Sequence, residues 1–196
     1  VISCSGSIAV GSNDSPIQSP MVAELTSSML DKGTSTMDRF EIAELMDSKG
    51  IELNFQTTKN TLNFTGKFLK KDTETFIKIL SDLLRNPKFD LEVFENFKKQ
   101  YESYLLELET NTDTIAKNHL SRKLYSSNHP NYSKDISELR QSLKSTEIAD
   151  IKKFHKDYYG KNSMKLVFAG DIDFPKIKKY VRNYLSSWKA AKNESN

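Results

Sequence analysis

Apolar residues recur along this chain with two periods, and the switches between them mark out its elements. At the start Ile2, Cys4, Ile8 and Val10 share one parity, with Ser3, Ser5 and Ser7 between them, which predicts a half-buried strand. The Gly, Asn, Ser and Pro content of residues 11–20 predicts a loop. Val22, Leu25, Thr26, Met29 and Leu30 then follow helical spacing up to a stop at Gly33. A second helix is expected with Ser35 and Asp38 as its capping box, Ile42, Ala43, Leu45 and Met46 as its apolar stripe, and Gly50 as its end. Period two returns in Ile51, Leu53 and Phe55 and again in Leu62 and Phe64. The intervening Lys59-Asn60 predicts a hairpin.

Helical spacing governs most of the remainder. Phe76, Ile77, Leu80, Leu83 and Leu84 form one face, ended by Asn86-Pro87. Asp90 caps a long helix whose stripe runs Leu91, Phe94, Phe97, Tyr101, Tyr104, Leu105, Leu108, at steps of three or four in its main run. A shorter helix is expected to carry Ile115, Ala116, Leu120 and Leu124, followed by a loop over 126–135. Ile148, Ile151, Phe154, His155 and Tyr158 give the next stripe, closed by Gly160. Residues 164–170 read as a buried strand. Asp173 and Pro175 open a last helix with Ile177, Tyr180, Val181, Tyr184, Leu185 and Trp188 inward, and 190–196 read as a frayed tail. At least four strands and about seven helices, with one hairpin, predict an α+β fold. It has two layers, a largely antiparallel sheet with helices packed on one face, in one domain over 1–189. The first strand is a candidate edge for peptide addition.

Composition narrows the function classes. A hydrophobic share of 37% supplies a core. The 29 basic and 26 acidic residues leave +3, too balanced to argue for nucleic acid. The lysines 152, 153 and 156 and 176, 178 and 179, with Arg182, alternate with core positions, so they read as solvated helix faces. Cys4 has no second cysteine to pair with and sits on the apolar parity of its strand, as an inert buried thiol does. No apolar run approaches the roughly 20 residues of a membrane span. The start at Val1 reads as a fragment of a longer chain, which leaves the compartment open, with a bacterial periplasm or cytoplasm as the expectation.

Five segments, in order, resemble the pitrilysin/insulinase family of zinc peptidases. They are Met29-Leu30-Asp31-Lys32-Gly33-Thr34 between two helices, the strand over 60–72, the helix over 75–89 with its Asn-Pro-x-Phe stop, the loop over 123–132, and the Phe-His-x-x-Tyr-Tyr helix leading to Ala-Gly-Asp-x-Asp within 145–173. The resemblance covers nearly the whole chain. It implies the processing-peptidase-like fold and a multi-domain or paired-subunit chamber that closes around an extended peptide. In the family's catalytic domains H-x-x-E-H stands just before the Met-Leu phrase. Two His at i and i+4 hold zinc, the Glu is general base, and a distal Glu completes the site.

This sequence departs at that motif. The register places Glu24, Leu25, Thr26, Ser27 and Ser28 on its five positions, so both histidines are missing and Ser27 stands where the base would be. Leu105, Glu102 and Glu107 lie near the distal position. Glu24, Ser27 and Ser28 are therefore read as degenerate metal-site positions, with no catalytic residue and no metal in this chain. The resemblance implies zinc in a catalytic domain of the parent protein or of a partner. It also implies other domains or a catalytic subunit of the same family as partners, and peptide as substrate. Of the histidines, His119, His129 and His155, none is spaced as a ligand pair, and unpaired histidines are more often structural. Glu102, Glu107 and Glu109 read as the wet face of the long helix. Two functions stay in competition: a non-catalytic domain of a zinc metalloendopeptidase, and a scaffold subunit without proteolysis.

Overall fold

The computed structural model describes residues 1–192. Its strands are β1 (Ile2–Ile8), β2 (Glu52–Thr57), β3 (Leu62–Phe68) and β4 (Met164–Gly170). They form one sheet in the order β2-β3-β1-β4, and all three pairings are antiparallel. The described residues also form eight α-helices: α1 (Val22–Ser28), α2 (Arg39–Lys49), α3 (Thr73–Arg85), α4 (Leu91–Leu108), α5 (Thr112–Leu124), α6 (Ile136–Ser145), α7 (Ile148–Tyr158) and α8 (Phe174–Leu185).

Strand alternation sorts the sheet into two faces. Ile2, Cys4, Ile8, Leu62, Phe64 and Phe68 are buried against the helices, whereas Ser3, Ser5, Thr65, Lys67 and Lys165 are exposed on the other face. This is the expected α+β architecture. Phe68 stacks on Phe76 of α3 with ring centroids 4.1 Å apart. Gly66, next to Phe68 on the buried face, makes room for that ring: a Cβ there would come within 2.4 Å of Phe76. The main core joins this sheet face to α3, α8, Ile42 of α2 and Phe154 of α7. A second apolar cluster holds Leu25, Phe94, Leu105, Ile136, Leu143 and Ile151, and so ties α1 to α4, α6 and α7.

Several expectations change. β1 lies inside the sheet, paired on both sides, so the free edges belong to β2 and β4. Residues 164–170 therefore form an edge strand with alternating half-buried and exposed positions rather than a buried one. The capping box of α2 is Asp38 with Glu41: Asp38 accepts from the Phe40 and Glu41 N–H groups, and Glu41 accepts from the Asp38 N–H. Of that helix's stripe only Ile42 is buried, and Ala43 is exposed. Leu91 and Tyr104 of α4 are exposed, and α5 buries none of its residues, Ile115, Ala116, Leu120 and Leu124 included.

Helix α6 was not expected, although Ile136, Leu139 and Leu143 have helical spacing and Asp135 with Glu138 forms its capping box. Three apolar residues among ten gave a pattern too sparse to stand out. Part of the tail expected from residue 190 lies outside the described residues, at 193–196. Ala191 and Lys192 are anchored, with their N–H groups donating to the Asn162 side chain and the Asp157 carbonyl.

Candidate functional site

Helix α1 carries Glu24, Ser27 and Ser28, the positions that the resemblance aligns with the metal-binding motif. It is only seven residues long, and Leu25 and Thr26 are fully buried. Its hydroxyls turn back on their own backbone. Thr26 Oγ1 donates to the Val22 carbonyl at 2.7 Å, and Ser27 Oγ donates to the Glu24 carbonyl at 2.9 Å. Thr57 Oγ1, at the end of edge strand β2, donates to Ser27 Oγ at 2.5 Å. Ser27 is thus buried and held from both sides, with no basic group among those contacts. Ser28 is the last residue of the helix and half-buried.

Glu24 is half-buried, and burial raises its carboxyl above the usual carboxylate range. It lies near two phenols. Tyr101 of α4 and Tyr159, just after α7, are each pushed up, first by burial and then by the negative charge on Glu24. Sequence reading placed Tyr101 on a core stripe but did not bring Tyr159 or Thr57 to this helix, because those approaches depend on how distant elements pack.

Three residues lie near the expected distal position: Leu105, Glu102 and Glu107. Leu105 is buried in the same cluster as Leu25 and Met29. Glu102 faces elsewhere: it accepts from Arg140 and Lys144 of α6 at 3.3 and 2.8 Å, while Glu109 accepts from Arg140 at 3.2 Å. These contacts, with Lys144 first, hold Glu102 below its ordinary value. Glu107 is exposed. Two of the three glutamates read as a wet face therefore join α4 to α6.

The histidines lie apart. His155 Nε2 bonds the Leu84 carbonyl at 2.8 Å, and its ring packs on Phe89 and Tyr159. Since a carbonyl only accepts, Nε2 carries the proton. Burial lowers the ring's pKa to about 4. His129 is exposed and stacks on Tyr125, and His119 is exposed on α5. Cys4 is buried, its thiol pushed up to about 12 by that burial. Among the described residues no three His, Cys, Asp or Glu gather as a metal-binding set. Around α1 the donors are one carboxylate and two hydroxyls backed by a leucine, which does not fit the nitrogen, sulfur and carboxylate donors that zinc takes. No helix among the described residues is long and apolar enough to cross a membrane.

Fold and site together define a class: a two-layer α+β domain with an antiparallel sheet, whose candidate metal helix lacks a ligand set. Comparison with known proteins places it further. The sequence profile described as insulinase (peptidase family M16) matches residues 3–134, and that described as the peptidase M16 inactive domain matches residues 145–196. The chain belongs to the insulinase family, peptidase family M16.

Among its relatives, the non-peptidase homolog YmxG of Helicobacter pylori is 28% identical over 84% of this chain. The uncharacterized zinc protease YmxG of Bacillus subtilis is 25% identical over 93% of it. The chain spans 38% and 44% of those two proteins. A peptidase M16 inactive domain from Pseudomonas fluorescens has the same fold, with a TM-score of 0.87 and 20% identity, over 100% of this chain and 48% of that one.

Proposed function

We propose that this chain is a non-catalytic domain of a zinc metalloendopeptidase, one that helps to enclose and bind peptide substrate in a clamshell chamber. The chamber is completed by other domains or by a catalytic partner subunit of the same family, and zinc belongs to that catalytic part. The observation that carries this reading is the donor set of α1. Glu24 sits beside two phenols, Ser27 is bound to the Glu24 carbonyl and to Thr57, and Leu105, near the expected distal position, is buried against Leu25 and Met29. A zinc-bound water needs three protein ligands to hold the metal and a base to take its proton. Edge strand β2, which meets α1 through Thr57, offers an extended peptide a row of backbone partners.

The test is metal analysis of the purified chain together with a mixture of quenched fluorogenic peptides. The expected result is far less than one zinc per chain and no hydrolysis. One tightly held zinc per chain, with cleavage abolished by a chelator, would overturn the proposal.

A second reading, a scaffold subunit without proteolysis, draws support from the Helicobacter pylori relative, which is named a non-peptidase homolog. The two separate when the complete natural assembly is purified and assayed: chelator-sensitive cleavage supports the first, and its absence supports the scaffold.

A further inference from the structure

The surroundings of Glu24 carry an unbalanced charge. Its side chain is half-buried, and among the described residues no donor bonds it and no cation pairs with it. Tyr101 comes to it from α4 and Tyr159 from just after α7. Tyr101 packs on the apolar cluster that holds Leu25 and Met29 of the α1 region. Tyr159 is joined to that cluster through the His155 and Phe89 rings, with centroids 4.7 and 5.3 Å apart. Tyr159 is only 5% exposed, and among the described residues its hydroxyl and that of Tyr101 have no hydrogen-bond partner. Yet none of these carboxylate and phenol oxygens is sealed from solvent. They stand near enough for the Glu24 charge to oppose ionisation of both phenols. Side chains that are largely buried thus keep their polar ends open, and the group combines an anion with two phenols and no cation.

We propose that Glu24, Tyr101 and Tyr159 hold the ammonium group of a bound peptide, supplied by a lysine side chain or by an amino terminus. This inference rests on the peptide-binding reading above and names the chemistry that the degenerate site accepts. An ammonium group brings three N–H donors and no acceptor. The site offers it carboxylate and phenol oxygens with no competing cation. A carboxylate already drawn partly out of water gains more from an arriving cation than an exposed one does, and its charge-assisted bonds are the stronger kind. The faces of the two phenol rings add their own attraction for a cation. Metal ions fit less well. Calcium takes about six to eight oxygens and magnesium an octahedral set, more than one carboxylate and two phenols provide.

The test uses the intact chain and three labelled peptides of alanine and threonine, alike in length. One is acetylated with a central lysine, one has a free amino terminus with norleucine in place of lysine, and one is acetylated with norleucine. At least one of the two ammonium peptides is expected to bind about tenfold more tightly than the neutral one, and the two arms tell a side chain from a terminus. Carbon NMR is expected to show the Glu24 carboxyl and the Tyr101 and Tyr159 rings shifting with that peptide and not with the neutral one. Glu24→Gln, checked by circular dichroism, is expected to abolish the preference. Tyr101→Phe, which keeps the ring and removes the phenol oxygen, is expected to reduce it and serves if Glu24→Gln does not fold. Equal binding of all three peptides overturns this inference and leaves peptide binding by the proposed function standing. Binding of none of them, or a preference that survives Glu24→Gln, overturns it whatever the zinc content. The same three peptides are then offered to the complete natural assembly. A preference seen in the chain and lost there overturns the inference too, because the protein's own groups would then occupy the site.

Discussion

At the scale of single residues, burial disfavours the charged form of an acid and of a base alike, and so moves their titrations in opposite directions, as at Glu24 and His155. Burial raises the Glu24 carboxyl, so its charged form is disfavoured in the folded chain. A folded-state value above the unfolded one means that stability is lost as pH rises from 4.5 through the raised value. Glu24→Gln is therefore expected to raise the melting temperature at pH 7 and to leave it nearly unchanged at pH 4. Differential scanning calorimetry at the two pH values reads this directly.

His155 gives the other sign. Its pKa is lowered from 6.5 to about 4, so between those values the unfolded chain binds a proton that the folded chain does not. Stability should climb with pH across that interval and level off above it. The slope is expected to shrink in His155→Phe, and nitrogen NMR should find the neutral, Nε2-protonated ring down to about pH 4.

At the scale of elements, α4 and α6 are held together by ion pairs as well as by the second apolar cluster. α6 is joined to α4 through Arg140, which grips Glu102 and Glu109, with Lys144 also on Glu102. Glu102 is held below its ordinary value of 4.5, so this support is present above that pH and is lost as pH falls through the lowered value. Arg140→Met is expected to move the Glu102 titration back toward 4.5, followed by carbon NMR of the carboxyl group. The capping box of α6 is a separate contribution. Asp135→Ala removes the acceptor for the Ser137 N–H and the partner of Arg122, and should cost about 1 kcal/mol in urea unfolding. α5 buries no residue, so its amides are expected to exchange faster than those of β1, β3 and α3.

At the scale of the whole molecule, stability rests on the sheet face packed against α3 and α8. Gly66→Ala is expected to destabilise by about 1–3 kcal/mol in chemical unfolding, because its Cβ would meet the Phe76 ring at 2.4 Å in a packed core. The period of the apolar residues was enough to determine the α+β class, the β2–β3 hairpin and the faces of α1, α3, α7 and α8. Local spacing records which way a side chain must point. The resemblance, through its Met29-Leu30 register, pointed to Glu24, Ser27 and Ser28 as the motif positions.

Tertiary structure decided the rest. It put β1 inside the sheet and β4 on its edge, because strand order is a choice among distant partners that alternation cannot encode. It turned Glu102 and Glu109 toward Arg140, left α5 exposed, and brought Tyr101, Tyr159 and Thr57 to α1. The physical reason is common to all of these: a residue's period fixes its face, but only packing of the whole chain fixes what that face meets.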